Sequence, residues 1–563
     1  MNYMSLRTLA AILAVVLAGI GFQGAAESGP LLAVYFVDTT LDPQPAGGCA
    51  TDGPGDCSLR EAVILANNDG MDTEIDLPDL GPAGLDTFIL QLADPGGADE
   101  DLANSGDLDI LAAVTIFGSG HNLTVIDANS LGRAFEISTG GPVLIQGVKV
   151  TSGRVVNEDG GGILNYGGLV TVKDSVVSGN TMANGDNVFN SGGGLATFGG
   201  MLTLTDSVVS GNVAQECPTL PCSTTGPAFG GGIFSGDGAL VLLRTTIRGN
   251  SASDGGGIHV RMMGDDVVPM TRLTNSRVTN NTAGFGAGIY QLHGFLGLTT
   301  TTVDNNKSDS FFPGSGVDAG GTVQILRSTI RDHEGSGLVV GGFTTIKDTT
   351  ISGNGTGLQD TTNDAQTRLE RVTVSGNRNY GLSVGATTTI LNSTISGNGS
   401  SQTGAGIHND AGGDLFVQSS TITGNRAQPG FAAGIRNAAA SVRLLNTIVA
   451  NNIGGEDCAN NFGGGTIDSL GYNIDSDDSC FLDRASDKPG VNPLLGPLAD
   501  NGGFTRTRAL LNGSPAIDTG QLSCPPPATD QRKLSRPRNG TPEGNARCDR
   551  GAFERNGPGP DPT

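Results

Sequence analysis

The chain has 563 residues, of which 90 are glycine, none is tryptophan and 5% are aromatic. This glycine content without a collagen period is typical of a solenoid with many corners. The formal net charge is −24, from 32 basic and 56 acidic side chains, and such a negative charge disfavours nucleic acids as partners.

The N-terminal residues 1–26 have the features of a secretory signal peptide. Arg7 supplies the positive charge, residues 9–20 form a short apolar core, and small residues precede a predicted cleavage before Glu27. The apolar core is too short for an ordinary transmembrane span, and no other stretch could cross a membrane as a helix. We expect an exported protein, secreted or on the cell surface, with association to an outer membrane as an alternative.

Export makes disulfide bonds plausible for the eight cysteines. They fall into four pairs that are local in sequence, and their spacings do not form a zinc signature. We interpret them as staples of loops, and the sequence leaves their connectivity open. The candidate disulfide cysteines are Cys49, Cys57, Cys217, Cys222, Cys458, Cys480, Cys524 and Cys548.

A first strand is predicted at 34–37, and a short helix follows it. Ser58 and Glu61 form an S-x-x-E capping box at the start of this helix. Its apolar face comprises Leu59, Ala62, Val63 and Ala66. A helix here would cover the open end of a stack of coils, as solenoids require.

The hexapeptide Cys-Ser-Leu-Arg-Glu-Ala at 57–62 resembles the motif that names the CSLREA domain. That resemblance implies an exported bacterial right-handed parallel β-helix protein, with this domain near its start. We therefore assign 27–135 to a cap of the CSLREA type and the first coils.

Acidic residues crowd one loop within this region, between positions 94 and 109. Carboxylates at this density can bind Ca²⁺, but they match no EF-hand or glycine-rich nonapeptide spacing. Asp99, Glu100 and Asp101 are the candidate ligands, and a solvated surface is the alternative. No other cofactor is expected.

One six-residue phrase returns through residues 136–455. It reads Ser-Val-Val-Ser-Gly-Asn at 175–180 and again at 207–212, and its shortest spacing of about 21 residues defines one coil. Each coil also contains a phrase such as Gly-Gly-Gly-Ile at 160–163 and a third strand-like piece. Apolar and small polar residues alternate in each piece, which is the period of a strand.

Three short strands and three corners in each repeat predict a triangular coil. Stacked coils bury their Ile, Val and Leu positions in continuous columns. The predicted fold is therefore an all-β, parallel β-helix of roughly a dozen or more coils, with a length on the order of 60 Å. The CSLREA resemblance implies that it is right-handed. The repeat phrases also resemble those of chlamydial polymorphic outer-membrane proteins.

The last residue of the phrase is nearly always asparagine, and His333 occupies one slot. Asparagine tolerates left-handed backbone, and stacked asparagines can hydrogen-bond one another along the rod. A ligand contact would not require the same residue in ten slots, so we interpret the column as structural rather than as a ligand groove. The column comprises Asn180, Asn212, Asn250, Asn281, Asn306, Asn354, Asn377, Asn398, Asn425 and Asn451.

Insertions into the coil concentrate in the first half of the repeats, at 181–191, 213–228 and 261–270. Binding residues are common on loops that a rigid scaffold holds, so these insertions mark the side where a ligand is most expected. Tolerated surface insertions are the alternative.

Asp265 and Asp266 lie in the third insertion, with Arg261 and His259 nearby in sequence. An adjacent Asp pair is found in polygalacturonase-like hydrolases, which need paired carboxylates. The Gly-His-Gly and Arg-Ile-Lys companions of that family are missing here. A solvated Asp pair is therefore the favoured interpretation, and these four residues are weak catalytic candidates.

The character of the chain changes after the repeats. Residues 456–490 read as a disulfide-stapled connector, 491–555 as a C-terminal cap and 556–563 as a disordered tail. Four motifs in the cap resemble the choice-of-anchor Q domain, which follows β-helices in many surface proteins. They lie at 492–504, 513–520, 529–532 and 548–554. Members of that family often carry a sorting tail, and no apolar tail follows this cap.

Two functions are consistent with the sequence. The first is a non-catalytic, structural or adhesive rod, monomeric, that binds carbohydrate or another cell surface. The second is a polysaccharide lyase or glycoside hydrolase of the pectinase-like β-helix type. A groove with converging Asp, Arg or Lys beside 261–270 would favour the enzyme, whereas a face of Ser, Thr, Asn and Gly would favour the rod.

Overall fold

The computed structural model describes most of the chain from residue 33 onward. The described residues are 33–43, 49, 57–80, 84–93, 101–184, 190–216, 227–264, 267–308, 314–360, 364–399, 404–461, 464–522, 524, 527–541 and 546–557. Several predictions fall outside them: the signal peptide at 1–26, the Cys217/Cys222 pair and most of the tail at 556–563. Within the described part of the chain, no helix is long and apolar enough to cross a membrane.

The described residues form a right-handed parallel β-helix, which confirms the predicted fold class. Three long parallel sheets, here called A, B and C, run the length of the molecule with 16, 15 and 14 strands. The chain passes from sheet C to sheet A to sheet B in each coil. Fifteen spacings between the strands of sheet A correspond to a rod of about 70 Å.

The strands of sheet A are Ala33–Phe36, Thr73–Leu77, Val114–Gly118, Pro142–Gln146, Leu169–Lys173, Met201–Thr205, Ala239–Leu243, Met270–Thr274, Phe295–Thr299, Thr322–Leu326, Phe343–Lys347, Gln366–Glu370, Thr387–Leu391, Asp414–Gln418, Ser441–Leu445 and Thr466–Ser469. The strands of sheet B are Asp86–Ile89, Thr124–Asp127, Lys149–Thr151, Val176–Ser178, Val208–Ser210, Thr246–Arg248, Arg277–Thr279, Thr302–Asp304, Thr329–Arg331, Thr350–Ser352, Thr373–Ser375, Thr394–Ser396, Thr421–Thr423, Ile448–Ala450 and Ile474–Asp475.

The strands of sheet C are Leu108–Ile110, Phe135–Ile137, Ile163–Tyr166, Leu195–Phe198, Ile233–Gly236, Ile258–Arg261, Ile289–Gln291, Val317–Ala319, Leu338–Val340, Leu358–Asp360, Tyr380–Val384, Ala405–Asn409, Ala432–Ala438 and Glu456–Asn461. A short parallel sheet at the corner between B and C comprises Arg154–Val156, Thr181–Asn184 and Val213–Glu216. An antiparallel hairpin near the C-terminus comprises Leu495–Ala499 and Thr507–Leu510.

The interior of the rod is one continuous apolar column. In one coil, Ile258 of sheet C, Leu273 of sheet A and Val278 of sheet B are all fully buried. The same cluster extends along the chain from Val37 to Leu482. Burial of each such side chain stabilises the fold by about 1.5–3 kcal/mol. This burial requires stacked coils, because a single coil would leave its interior side chains exposed above and below.

Asparagines at the corner between sheets B and C form a buried ladder. The backbone N–H and the Nδ2 of Asn250 both donate to Oδ1 of Asn281 at 3.0 Å, and Asn281 donates in the same way to Asn306. The Nδ2 of Asn281 also donates to the carbonyl of Ile247 at 3.1 Å. Each amide therefore links neighbouring coils, which is the structural role expected for the column.

The last member of the ladder is Asn452, and the sequence-based choice of Asn451 was wrong by one residue. Asn425 donates to Oδ1 of Asn452 at 3.1 and 3.0 Å. Asn451 is exposed with a φ of 58°, and it occupies the left-handed corner that Gly424 fills one coil earlier. Both corner positions accept asparagine, so residue type alone could not distinguish two adjacent asparagines.

His333 takes the place of an asparagine inside the ladder. Its Nδ1 accepts from the backbone N–H of Asn306 at 3.1 Å, and its backbone N–H donates to Oδ1 of Asn354 at 3.1 Å. Its Nε2 lies 3.1 Å from the carbonyl of Val303, so a neutral ring with the proton on Nε2 satisfies both contacts. Burial lowers the pKa of His333 to about 4, although hydrogen bonds to the backbone oppose this shift.

This lowered pKa predicts that His333 destabilises the protein in acid. The unfolded chain binds the proton near pH 6.5 and the folded chain only near pH 4, so stability falls as the pH drops through this interval. Between pH 7.5 and pH 5 the loss from this residue is about 2 kcal/mol. We expect His333→Asn to remove that loss while preserving the ladder, as measured by urea unfolding at both pH values.

The change in the free energy of unfolding between the two pH values is compared in His333→Asn and in the unsubstituted chain. The difference between the two changes is the contribution of His333, because the other titrating groups are present in both proteins. Burial raises the pKa of Asp318 to about 6, a shift with the opposite effect on stability in acid. Equal losses of stability in the two proteins between pH 7.5 and pH 5 would show that His333 stays uncoupled from folding.

The N-terminal end of the rod is covered by helix α1, Leu59–Asp69. The Oγ of Ser58 accepts from the backbone N–H of Glu61 at 3.2 Å, and Gly70 ends the helix with a φ of 67°. The four residues of the predicted apolar face are buried against the first strands. A disulfide joins Cys49 to Cys57 just before the helix.

The buried side of α1 also contains Arg60, which is 1% exposed. Its guanidinium forms two hydrogen bonds with the carboxylate of Asp42, at 2.7 and 3.1 Å. It also donates to four backbone carbonyls between Ala103 and Asp107, at 2.8–3.0 Å. One side chain therefore joins the helix, the segment after the first strand and the loop before sheet C.

Strands of the β-helix continue to Asp475, within the segment assigned to the connector, and a disulfide joins Cys458 to Cys480 there. The C-terminal residues then fold back along the outer face of sheet B. Gln531 donates to Oγ1 of Thr373 at 2.9 Å and accepts from Oγ1 of Thr394 at 2.6 Å. The C-terminal segment thus packs against the side of the last coils.

Candidate functional site

The outer face of sheet C contains a row of large side chains, one from each successive coil. Strand pairing places Phe234, His259, Tyr290 and Asp318 in register on neighbouring strands. The residues that precede them in sequence point into the core. Since successive side chains of a strand alternate between faces, this row lies on the outside of the rod.

Aromatic rings cluster at the start of this row. The ring centroids of Phe198 and Phe234 are 5.4 Å apart, and Tyr166 continues the stack at 5.6 Å from Phe198. Phe229, which pairs through isolated bridges with Ser191 and Asp254, packs against the same group. Rings at these separations pack into one apolar cluster, in which Phe229 and Phe234 are buried, Phe198 is partly exposed and Tyr166 is exposed.

This cluster forms the floor of a pocket of about 460 Å³, here called the aromatic pocket. The pocket is lined by Asp159, Ser191, Phe198, Phe229, Phe234, Arg261 and Met263. The guanidinium carbon of Arg261 lies 5.7 Å from the centre of the Phe229 ring. Gly236 leaves the necessary room, because a Cβ there would lie 3.1 Å from Met263 and 3.3 Å from Phe198.

The lining of the pocket also contains a carboxyl group, that of Asp159. Oδ1 of Asp159 accepts from the backbone N–H of Ser191 at 2.6 Å. Burial raises the pKa of Asp159 to about 6, although the hydrogen bond from Ser191 and the nearby Arg133 oppose the shift. Near neutral pH this carboxyl can therefore accept hydrogen bonds, and in mild acid it can also donate one.

A second carboxyl with a raised pKa lies farther along the row. Burial, together with the charge of Asp254, raises the pKa of Asp318 to about 6. Burial and these same two carboxylates also raise the pKa of Tyr290. The arrangement places a phenol and carboxyl groups next to the aromatic pocket.

His259, a weak catalytic candidate from the sequence, lies beneath the aromatic rings and is 3% exposed. Its ring centroid is 4.7 Å from that of Phe229 and 5.0 Å from that of Tyr290. Burial lowers its pKa to about 3, and its Nδ1 has no hydrogen-bond partner within the described part of the chain. At neutral pH it is an uncharged ring that supports the floor of the pocket.

Of the other catalytic and calcium-binding candidates predicted from the sequence, only Arg261 lies in the aromatic pocket among the residues that the structure describes. Asp265 and Asp266 fall outside the described residues, as do the calcium candidates Asp99 and Glu100. Asp101 is exposed. Across the described ranges, no group of three or more His, Cys, Asp or Glu side chains is arranged to hold a metal ion.

The pocket lies beside the three insertions that the sequence singled out. Ser191 ends the first insertion, Phe229 follows the second, and Arg261 begins the third. Sequence reasoning missed Phe198, Phe234 and Asp159. The sequence did contain a signal for the two phenylalanines: both lie at outward strand positions, where an aromatic residue is unusual in a chain with 5% aromatic residues.

Comparison with known proteins gives a family match over part of the chain. A family model described as a right handed beta helix region matches residues 287–453. Two similar solved structures are the A-modules of the mannuronan C-5 epimerases AlgE6 and AlgE4 from Azotobacter vinelandii. Their sequence identities are 12% and 14%, and each alignment has a TM-score of 0.32. They cover 74% and 73% of this chain and 94% of each module. A search of curated proteins found no matching sequence.

Proposed function

We propose that this chain is an exported, non-catalytic β-helix protein that binds polysaccharide in the aromatic pocket. The pocket itself is the observation that carries this proposal. A sugar ring has an apolar C–H face, which can pack on the partly exposed ring of Phe198, supported from below by the buried ring of Phe234. It also has a rim of hydroxyl groups, which Arg261 and Asp159 can bind through charge-assisted hydrogen bonds.

Two features support export to the cell surface or the medium. Residues 1–26 have the pattern of a signal peptide. Disulfides also join Cys49 to Cys57, Cys458 to Cys480 and Cys524 to Cys548, and such bonds persist in oxidising compartments. The net charge of −24 repels polyanions, so the proposed ligand is a neutral polysaccharide.

A glycan array with the purified chain, repeated with Ca²⁺ and with chelator, tests the binding proposal. We expect Phe198→Ala and Arg261→Ala each to weaken binding of a glycan hit about tenfold, because each removes about 1.4 kcal/mol of contact. Phe343→Ala is the matched control, since Phe343 is 61% exposed on sheet A, away from the pocket. Absence of any glycan hit, or equal affinity of all variants, would contradict the proposal.

The second candidate function is polysaccharide cleavage. The feature in its favour is that two carboxyl groups, Asp159 and Asp318, lie partly buried on this side of the rod, and burial raises the pKa of each to about 6. A general acid in glycoside hydrolysis requires a raised pKa of this kind. Release of new reducing ends from an array hit, abolished in Asp159→Asn or Asp318→Asn, would establish the enzyme. The binding proposal expects no new ends.

A further inference from the structure

A second aromatic group lies on the outer face of sheet C, far from the aromatic pocket. The rings of Tyr380 and His408 stack with centroids 4.9 Å apart and planes 27° apart. Asp410 lies beside them, with Oδ1 at 3.4 Å from Nε2 of His408. The hydroxyl of Ser383 donates to Oδ2 of Asp410 at 3.3 Å. We call these four residues the distal stack.

The distal stack has the same chemical character as the aromatic pocket. It combines stacked rings with a carboxylate and a hydroxyl at their edge, and the side chain of Asp410 is 48% exposed. Tyr380 and His408 are each partly exposed. An apolar face beside accessible hydrogen-bonding groups is again the combination that a sugar ring requires.

Strand register places both sites along one row of paired strand positions on sheet C. The outward residue of each successive strand pairs with the next without a shift of register from Phe234 to His408. This row comprises Phe234, His259, Tyr290, Asp318, Val339, Gln359, Ser383 and His408. Seven strand spacings separate its ends, a distance of about 34 Å.

We infer that the aromatic pocket and the distal stack are two subsites of one binding face, whose ligand is an extended neutral polysaccharide that reaches both. This inference rests on the proposed function. The side chains between the subsites include the carboxyl of Asp318 and the exposed amide of Gln359, which suit the hydroxyl groups of a neutral chain. A sugar unit is about as long as one strand spacing, so the ligand spans about seven units.

A ligand that reaches both subsites gains affinity without any new type of contact. Once one end is bound, the other end meets its subsite at a high effective concentration. Affinity should therefore increase gradually with chain length while only one subsite is occupied. It should rise steeply, by about 100-fold, once the chain reaches the second subsite.

Calorimetric titration of the full chain with a length series of an array-positive neutral oligosaccharide tests this inference. We expect the steep rise near seven units. Tyr380→Ala should remove the steep rise while short oligosaccharides still bind in the aromatic pocket, and Tyr380→Phe, which keeps the ring, should preserve the rise. Phe198→Ala should weaken binding of both short and long chains. Urea unfolding of each variant checks that the fold is intact.

The outcomes separate the two proposals. If no oligosaccharide of any length binds, the proposed function fails. If short chains bind and Phe198→Ala weakens them, but affinity shows no rise with length and Tyr380→Ala matches the unsubstituted chain for long oligosaccharides, only the two-subsite inference fails. Tighter binding of an acidic series than of the neutral one would overturn the assignment of a neutral ligand.

Discussion

Arg60→Ala should destabilise the N-terminal cap by about 3–5 kcal/mol, because it leaves the carboxylate of Asp42 buried without its charge partner. Asp42 is 5% exposed, and its Oδ2 also accepts from the backbone N–H of Gln91 at 2.8 Å. The four carbonyls that Arg60 binds would also lose this donor, which adds to the loss where water cannot reach them. Urea unfolding measures the loss of stability, and hydrogen exchange of the folded protein shows where in the chain it occurs.

In Arg60→Ala, faster hydrogen exchange should be confined to the N-terminal end of the rod. In a solenoid each coil contacts only its neighbours, so protection should be lost first in α1 and in the strands near Thr73 and Leu108. Arg248→Ala is the matched control, since Arg248 is exposed on sheet B. Equal stability and exchange in the two variants would mean that Arg60 has no structural role in the cap.

Asn281→Ala should cost about 3 kcal/mol or more, because it removes one member from the middle of a buried ladder. Both donors of Asn250 lose their acceptor. Oδ1 of Asn306 and the carbonyl of Ile247 each lose the Nδ2 donor, whereas the backbone N–H of residue 281 still donates to Asn306. The vacated space is buried, so the orphaned groups have no direct access to water. We expect a lower urea midpoint and faster exchange in the coils on either side.

Asn451→Gly provides the control for the ladder. Asn451 has the same residue type and a φ of 58°, which glycine adopts without strain, but it lies outside the ladder. Its substitution should change the stability by less than about 0.5 kcal/mol. A larger loss in Asn451→Gly than in Asn281→Ala would contradict the assignment of ladder members.

Five of the six residues of the hexapeptide at 57–62 have a structural role. Cys57 forms a disulfide and Ser58 caps the helix. Leu59 and Ala62 are buried in the core, and Arg60 donates hydrogen bonds to four backbone carbonyls. The resemblance that this motif carries thus concerns the closure of the coil stack. Its residues lie apart from the aromatic pocket.

Motifs at the other end are also explained by packing. Arg536 forms a salt bridge with Glu554 in which both side chains are fully buried. Burial, together with the charge of Glu554, raises the pKa of Asp549 well above its usual value. These residues hold the C-terminal segment together where it covers sheet B, so residues 548–554 take part in a buried network of charged side chains.

The sequence by itself determined the coil. Alternating apolar residues, glycine at the corners and a recurring asparagine predict three strands in each repeat, because these are local properties of backbone and side chain. The same reasoning predicted α1, since a capping box and an apolar face lie within eleven residues. The asparagine ladder followed from the repeat, apart from the choice between Asn451 and Asn452.

Only the tertiary structure decided which side chains meet on the outside of the rod. Neighbours there come from successive coils, and insertions make the sequence separation between coils vary from 21 to 38 residues. The register of Phe198, Phe234 and Arg261 therefore depends on how each insertion folds back onto the sheet. For the same physical reason, the alignment of the aromatic pocket with the distal stack became visible only once the strands were paired.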